Sequence, residues 1–255
     1  GLPVGTPVAA GPTDGVAGFY ASGAATPGEA ATTLGTTLVV KSVSRDLVRD
    51  PMGRLYCHRH TEGHWLPGGA SNCGGGYAAT HFSGAELSAF DERAGRLLPV
   101  GKLCYPLARR GERFPAVCAD AESFLTATPE SVAEHFAMYL QGVAFVERWG
   151  YETIHDLGGS SCGTVFTSGG GSHSDVWMQL RSDVLNCAVV RTGAPHSAFG
   201  CAVLAASRTL HAGVSEAARA MVRVERRFEP RPDRARRCDE LYAAFRRECR
   251  DRGMP

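Results

Sequence analysis

Ala30-Ala31-Thr32-Thr33-Leu34-Gly35-Thr36-Thr37-Leu38-Val39-Val40-Lys41-Ser42-Val43 is apolar and β-branched on both sides of a Gly35-Thr36-Thr37 break. That pattern predicts two strands joined by a tight turn. Toward the N-terminus, residues 4–10 (Val-Gly-Thr-Pro-Val-Ala-Ala) read as a short buried strand, 11–15 as a turn, and Val16–Gly23 as a small-residue helix packed on a sheet. Downstream, Leu55–His60 reads as a strand, and Gly63–Pro67 leads into Gly68-Gly69-Ala70. Leu87, Phe90, Ala94 and Leu97 have helical spacing and predict a helix over Ser83–Leu98. Residues 99–128 read as irregular. A helix is expected over Pro129–Arg148, with Thr128 as its N-cap and Pro129 in its first turn. Ser161–Thr167 (strand), Asp175–Leu185 (helix), Ala188–Arg191 (strand) and Ser197–Leu210 (small-residue helix) come next. The residues from Val222 onward mix many Arg with Glu and Asp and read as a solvated helical tail. Hairpin first, then alternating helices and strands, this order predicts a mixed α/β domain with helices on both faces.

The chain has 255 residues, with Lys+Arg 27 against Asp+Glu 26 and a net charge of +1. That balance disfavours a nucleic-acid binder working by bulk charge. No uninterrupted apolar run approaches the ~18 residues of a spanning helix. The nine cysteines are scattered without Cys-x-x-Cys spacing. This disfavours a zinc ribbon and fits reduced thiols in a cytoplasmic protein. The opening residues carry no secretory pattern and read as the middle of a longer protein.

Glycine-rich turns stand at 11–15, 35–37 and 169–171, each beside a candidate strand. Turns of this kind expose backbone N–H groups that can hold phosphate oxygens, although neither a Walker A loop nor a dinucleotide fingerprint is present. Asp14, after an apolar stretch and before a helix, has two readings. It is an N-cap, or it is a carboxylate base at a cleft mouth that takes a proton from an attacking alcohol. Trp177 is open between core packing and stacking on a nucleotide. His58, His60 and His64 have workable spacing for zinc but no acid or cysteine in a recognised pattern, and read as ordinary strand and turn histidines.

Several segments, taken together in order and spacing, resemble the C-terminal half of the FGGY carbohydrate kinases. They are Val8–Gly15, Thr33–Thr37, Gly68-Gly69-Ala70-Ser71-Asn72, and Gly169-Gly170-Gly171 with Trp177-Met178-Gln179 and Ser182-Asp183-Val184-Leu185. Tyr105-Pro106-Leu107, Gly111–Pro115 and Leu140–Arg148 are similar to the xylulokinase and D-ribulose kinase branch. Glu134, His135, Met138 and His196 depart from the bacterial xylulokinase pattern.

The resemblance implies an RNase H-like domain of the actin/hexokinase ATPase type over residues 1–215, with 216–255 as its helical tail and the N-terminal sugar-binding domain absent. It implies ATP-dependent phosphorylation of a sugar, D-ribulose or D-xylulose, with Mg2+. Asp14 matches the catalytic base, and Gly35 and Thr36, with Thr37 beside them, match a phosphate loop. Gly69 and Cys73 fall where the family lines the nucleotide pocket. Gly169, Gly170 and Gly171 match the adenosine motif, and Ser174 a polar adenine contact. Expected partners are ATP or ADP, the sugar, the missing domain and a second copy in a homodimer, without nucleic acid or membrane. The alternative is a catalytically incomplete nucleotide-binding fragment or regulatory remnant.

Overall fold

The structure is a computed structural model that describes residues 1–193 and 196–254; Pro255 of the tail lies outside them. The elements, in chain order, are α1 (Asp14–Ala21), β1 (Glu29–Leu34), β2 (Leu38–Ser42), β3 (Tyr56–Arg59), β4 (Trp65–Ser71), α2 (Gly75–His81), α3 (Leu87–Leu97), β5 (Cys104–Tyr105), β6 (Phe124–Leu125), α4 (Val132–Asp156), β7 (Thr164–Ser168), α5 (Asp175–Leu185), β8 (Ala188–Thr192), α6 (Ser197–Thr209), α7 (Val214–Met221), β9 (Val224–Phe228) and α8 (Pro232–Asp251). One sheet runs β3-β4-β2-β1-β7-β8-β9, and β5 pairs with β6 apart from it. The hairpin forms with Leu34 opposite Leu38. The pairs β1–β7 and β7–β8 are parallel, and the others in the main sheet are antiparallel.

Side chains alternate across a pleated strand, so each strand feeds two cores. Ala30, Leu34, Leu38, Val40, Val165 and Val189 join α3, α4, α5 and α8 on one face. Ala31, Val43, Phe166 and Val190 join α1, α6 and α7 on the other. The mixed sheet covered by helices on both faces is thus as the order of elements predicts.

Three readings are corrected. Residues 4–10 form no strand: Val4 and Val8 are exposed, and the segment enters no ladder. An apolar run without a neighbour to accept its hydrogen bonds has no sheet to join, and Pro3 and Pro7 remove donors. The long helix starts later and runs further than Pro129–Arg148. Its N-cap is Ser131, whose Oγ accepts the Glu134 N–H at 3.1 Å, and it continues to Asp156. Ser131-Val132-Ala133-Glu134 is a Ser-x-x-Glu start signal that competes successfully with Thr128-Pro129.

The third correction concerns the tail. Its residues form the edge strand β9 and the amphipathic helix α8, which buries Cys238, Leu241, Tyr242, Phe245 and Cys249 and turns most of its charges outward. Phe245 stacks on Tyr105 with ring centroids 5.7 Å apart and meets Phe145 at 5.4 Å.

Between α4 and the sheet lies a buried ion pair. Arg181 on α5 forks onto Glu147 on α4, with Nε and Nη2 each 2.6 Å from a carboxylate oxygen and both side chains fully buried. Thr32 on β1 donates to the same carboxylate at 2.5 Å, and Tyr151 completes the set at 2.7 Å from Thr32 Oγ1. Arg181 Nη1 donates to Thr167 on β7 at 2.8 Å.

Urea unfolding should show both kinds of packing. Phe245→Ala should lower stability by about 3–5 kcal/mol, the usual cost of emptying a buried aromatic site; a change within ~0.5 kcal/mol, as at an exposed position, would mean that α8 does not pack. Glu147→Leu and Arg181→Met should each cost about 3–5 kcal/mol by stranding a buried charge. The double variant should lose clearly less than the sum, because neither partner is then left unpaired.

Candidate active site

The parallel pair β1–β7 sets Thr33 beside Ser168, with their hydroxyls 3.0 Å apart. Both strands then end, and a loop rises from each. After β1 comes the hairpin turn, closed by the Gly35 N–H donating to the Thr37 carbonyl at 3.2 Å. The Gly74-Gly75-Gly76 run backs that turn, with Gly75 N–H 2.8 Å from the Gly35 carbonyl and Gly76 N–H 3.0 Å from that of Thr36. After β7 the chain turns at Gly169, whose φ of +87° lies in the left-handed region. A Cβ there would also overlap the Leu34 carbonyl, so only glycine brings this turn against the end of β1. Gly170–His173 then make a tight helical turn, and Ser174 caps α5 by accepting the Trp177 N–H at 2.8 Å.

Two clefts open along this rim. The first, about 660 Å³, is lined among others by Asp14, Thr33, Lys41, Ser168, Gly169 and Arg191. The second, about 840 Å³, is lined among others by Gly35, Thr36, Asp91, Tyr139, Gly171 and Trp177. Gly170 and His173 line both, so the clefts meet at the turn after β7. A Cβ on Gly170 would find no heavy atom within 4 Å, so this residue exposes bare backbone at the junction.

Asp14 is the first residue of α1, while Thr13 holds the N-cap position in extended conformation. Its carboxylate accepts the Gly15 N–H at 2.7 Å and is exposed to the first cleft. Helix α1 is fixed by α6. Gly200 of α6 lies so close to the Ala17 carbonyl that a Cβ there would overlap it, and Ser197 Oγ donates to the Asp14 carbonyl at 3.0 Å.

The rim therefore gathers Asp14, Gly35, Thr36, Gly169, Gly170, Gly171 and Ser174 at the two clefts. Thr37 contributes its carbonyl to the hairpin turn and is not among the lining residues. Gly69 and Cys73 stand apart from both clefts. Gly69 lies within β4, where a Cβ would run into the Phe114 ring. Cys73 is fully buried, 3.6 Å from Glu112 Oε2, and burial pushes its thiol well up. Gly68-Gly69-Ala70 is strand through its whole length, continuous with Trp65-Leu66-Pro67 before it.

Ser174 Oγ donates to Asp91 Oδ1 at 2.6 Å. Burial raises the Asp91 carboxyl, with the Ser174 bond opposing that shift. Asp91 carries no motif in the sequence, although Leu87, Ser88 and Asp91 form one helical face of α3 and all line the second cleft. Trp177 meets both of its readings halfway. It is buried with Nε1 donating to the Leu140 carbonyl at 3.1 Å, yet it contributes to the second cleft's wall. Lys41 and Arg191, which also carry no motif, line the first cleft. Arg191 anchors the turn after β7, with Nη1 3.2 Å from the Ser172 carbonyl and 2.8 Å from Asp175.

His60 is buried beside Tyr20, with its ring pulled down to about 4 by burial. Among the described residues, no group of three or more His, Cys, Asp or Glu side chains could hold a metal ion. No helix among them is long and apolar enough to cross a membrane.

The C-terminal domain of the FGGY family of carbohydrate kinases matches residues 30–209, more than half of the chain. A gluconokinase of Bacillus licheniformis is 26% identical over 259 residues, covering 94% of this chain and 50% of that protein. A xylulose kinase of Bacillus subtilis is 24% identical over 251 residues, with the same coverage of 94% and 50%. Among solved structures, the xylulose kinase from Rhodospirillum rubrum superposes with a TM-score of 0.83 at 26% identity, covering 98% of this chain and 52% of its own. The gluconate kinase from Lactobacillus acidophilus gives a TM-score of 0.82 at 19% identity, covering 93% and 50%. The chain thus spans about half the length of the curated relatives it matches. It belongs to the FGGY family of carbohydrate kinases, as a C-terminal domain of the actin/hexokinase-like ATPase fold.

Proposed function

We propose that this chain forms the nucleotide-binding, base-bearing half of an ATP-dependent sugar kinase. One observation carries the reading: Asp14 and the turns after β1 and β7 border two clefts that meet at Gly170. Phosphoryl transfer needs little covalent help from a protein. It needs donor and acceptor aligned, charge neutralised, and a base for the acceptor's proton.

On this reading adenosine occupies the second cleft, between the Tyr139–Trp177 wall and the bare backbone of Gly170-Gly171. Ser174 and Asp91 offer polar atoms at its edge. The phosphates cross the junction toward the first cleft, against the Gly35-Thr36-Thr37 turn. Because the Gly35 N–H is already bonded inside that turn, phosphate contacts fall to Thr36 and its neighbours. Asp14 takes the proton of the acceptor hydroxyl as its oxygen attacks the γ-phosphorus. Magnesium between the phosphates would neutralise their charge, held by phosphate oxygens and water.

The acceptor's remaining contacts and the opposite wall of the site would come from a domain that the relatives possess in their other half. Two acceptor classes are carried by the relatives' names. The sequence resemblance favours a ketopentose, D-ribulose or D-xylulose. A buried lysine in the first cleft favours an aldonate. The second reading, a nucleotide-binding fragment without catalysis, shares the clefts but gives Asp14 no task.

In the full-length protein, Asp14→Asn should lower kcat at least ~100-fold, the lower end of general-base contributions, with little change in the KM for ATP. Steady-state kinetics test this, and a near-normal kcat would take Asp14 out of the role. Gly170→Val should weaken ADP binding at least ~10-fold in calorimetry, because the added side chain fills the junction, while Tm stays put because that space is open. Unchanged ADP affinity in the folded variant would move the nucleotide elsewhere.

A further inference from the structure

Lys41 is a cation with no anion. It stands on β2, opposite Ala31 on one side and Gly68 on the other, on the sheet face that carries Asp14's helix. Only 5% of it is exposed, yet it lines the first cleft. Its Nζ lies 3.4 Å from His58 Nδ1 and 5.2 Å from the centre of the Tyr56 ring. Among the described residues, it forms no ion pair with any carboxylate.

The other charges of the cleft have partners or tasks. Arg191 is paired with Asp175 and Glu225, and Asp14 accepts the Gly15 N–H. Burying an ammonium without a counter-ion is costly, and its cost is recovered only when an anion arrives. Burial pulls the Lys41 ammonium down to about 8, and burial together with the neighbouring Lys41 charge holds His58 below its ordinary value.

The position of Lys41 separates the anions that could serve. It stands four positions along the chain from Thr37, about 13 Å at the usual rise of a β-strand. Its ammonium reaches sideways over Gly68 toward β3, away from the turn at 35–37 and from Gly170. The phosphate end of the cleft is therefore the far end. The anion that suits Lys41 belongs to the molecule whose hydroxyl faces Asp14.

We propose that Lys41 sets acceptor choice by pairing with the carboxylate of a sugar acid, which makes the acceptor an aldonate and not a neutral ketopentose. The proposal rests on the kinase reading above for the role of that acceptor. An ammonium–carboxylate bond in a cleft closed from water discriminates strongly. A neutral analogue leaves the charge buried and unpaired.

The test uses the full-length protein with D-gluconate, D-glucitol, D-xylulose and D-ribulose. D-gluconate should have a kcat/KM at least ~10-fold above the neutral acceptors. Lys41→Met, which keeps the apolar stem, should raise the KM for D-gluconate at least ~10-fold, leave the KM for ATP within error, and hold or raise the Tm because an unpaired buried charge is gone. Lys41→Arg, which keeps the charge, should restore most of the loss. Calorimetry of D-gluconate binding, without ATP, separates this proposal from the kinase reading. Binding that Lys41→Met abolishes, with no turnover of any acceptor, would uphold Lys41 and sink the kinase reading. Turnover with D-xylulose or D-ribulose preferred, or D-gluconate affinity unchanged in Lys41→Met, would overturn the proposal and leave the kinase reading standing.

Discussion

The fork of Arg181 on Glu147 is the constraint on which the rest of the molecule depends. It joins α4 to α5 with two charge-assisted bonds at 2.6 Å, and it reaches the sheet through Thr32 on β1 and Thr167 on β7. Those two strands are adjacent and parallel, and both site loops rise from their ends. An ion pair fully removed from water is costly unless its lone pairs and protons are used up. Here Thr32 donates to Glu147 and Thr167 accepts from Arg181, while Tyr151 holds the Thr32 hydroxyl in place. A network this complete tolerates little displacement, so the spacing of the two loops is set from beneath.

Above that network, the site divides by chemistry. The second cleft has aromatic and apolar walls, Phe136, Tyr139, Leu140 and Trp177, with Ser174 and Asp91 as its polar edge. The first is bordered by ionisable groups, Asp14, Lys41, Arg191 and Glu225. Where they meet, the backbone of Gly170 is bare. An apolar pocket with a few polar groups suits a planar base, and a charged one suits a reaction that moves protons and phosphoryl charge. The sheet makes this division possible because the strands that carry the loops also separate the two cores.

Local patterns and the folded chain agree in some segments and part in others. Asp175–Leu185 is predicted as a helix with the bounds it has, and in the structure Ser174 caps it. The hairpin at 30–43 is equally legible, since a glycine turn between β-branched runs has few other solutions. The Gly169–Gly171 turn is readable as a close approach, although what it approaches, the Leu34 carbonyl, is not. Residues 4–10 look like a strand because propensity is local, whereas pairing is not. The Arg-rich tail looks solvated because composition hides the stripe of Cys238, Leu241, Tyr242, Phe245 and Cys249 that packs on the core. Gly69 and Cys73 resemble pocket residues by motif, yet Gly69, within β4, meets Phe114, and Cys73, just past the end of β4, meets Glu112.

The sequence by itself determined the class of fold, the hairpin and most of the longer helices, the glycine turns and the acid at the start of the first helix. Each of these is written in short windows: period, cap, turn chemistry and a motif in order. Only the tertiary structure decided which turns share a cleft, and that Asp91, Tyr139 and Lys41 line the two clefts. It also decided that Glu147 finds Arg181, 34 residues further along the chain. The physical reason is that a cleft and a buried ion pair are relations between distant segments. They exist only once the sheet has fixed its register, and no local pattern encodes that register.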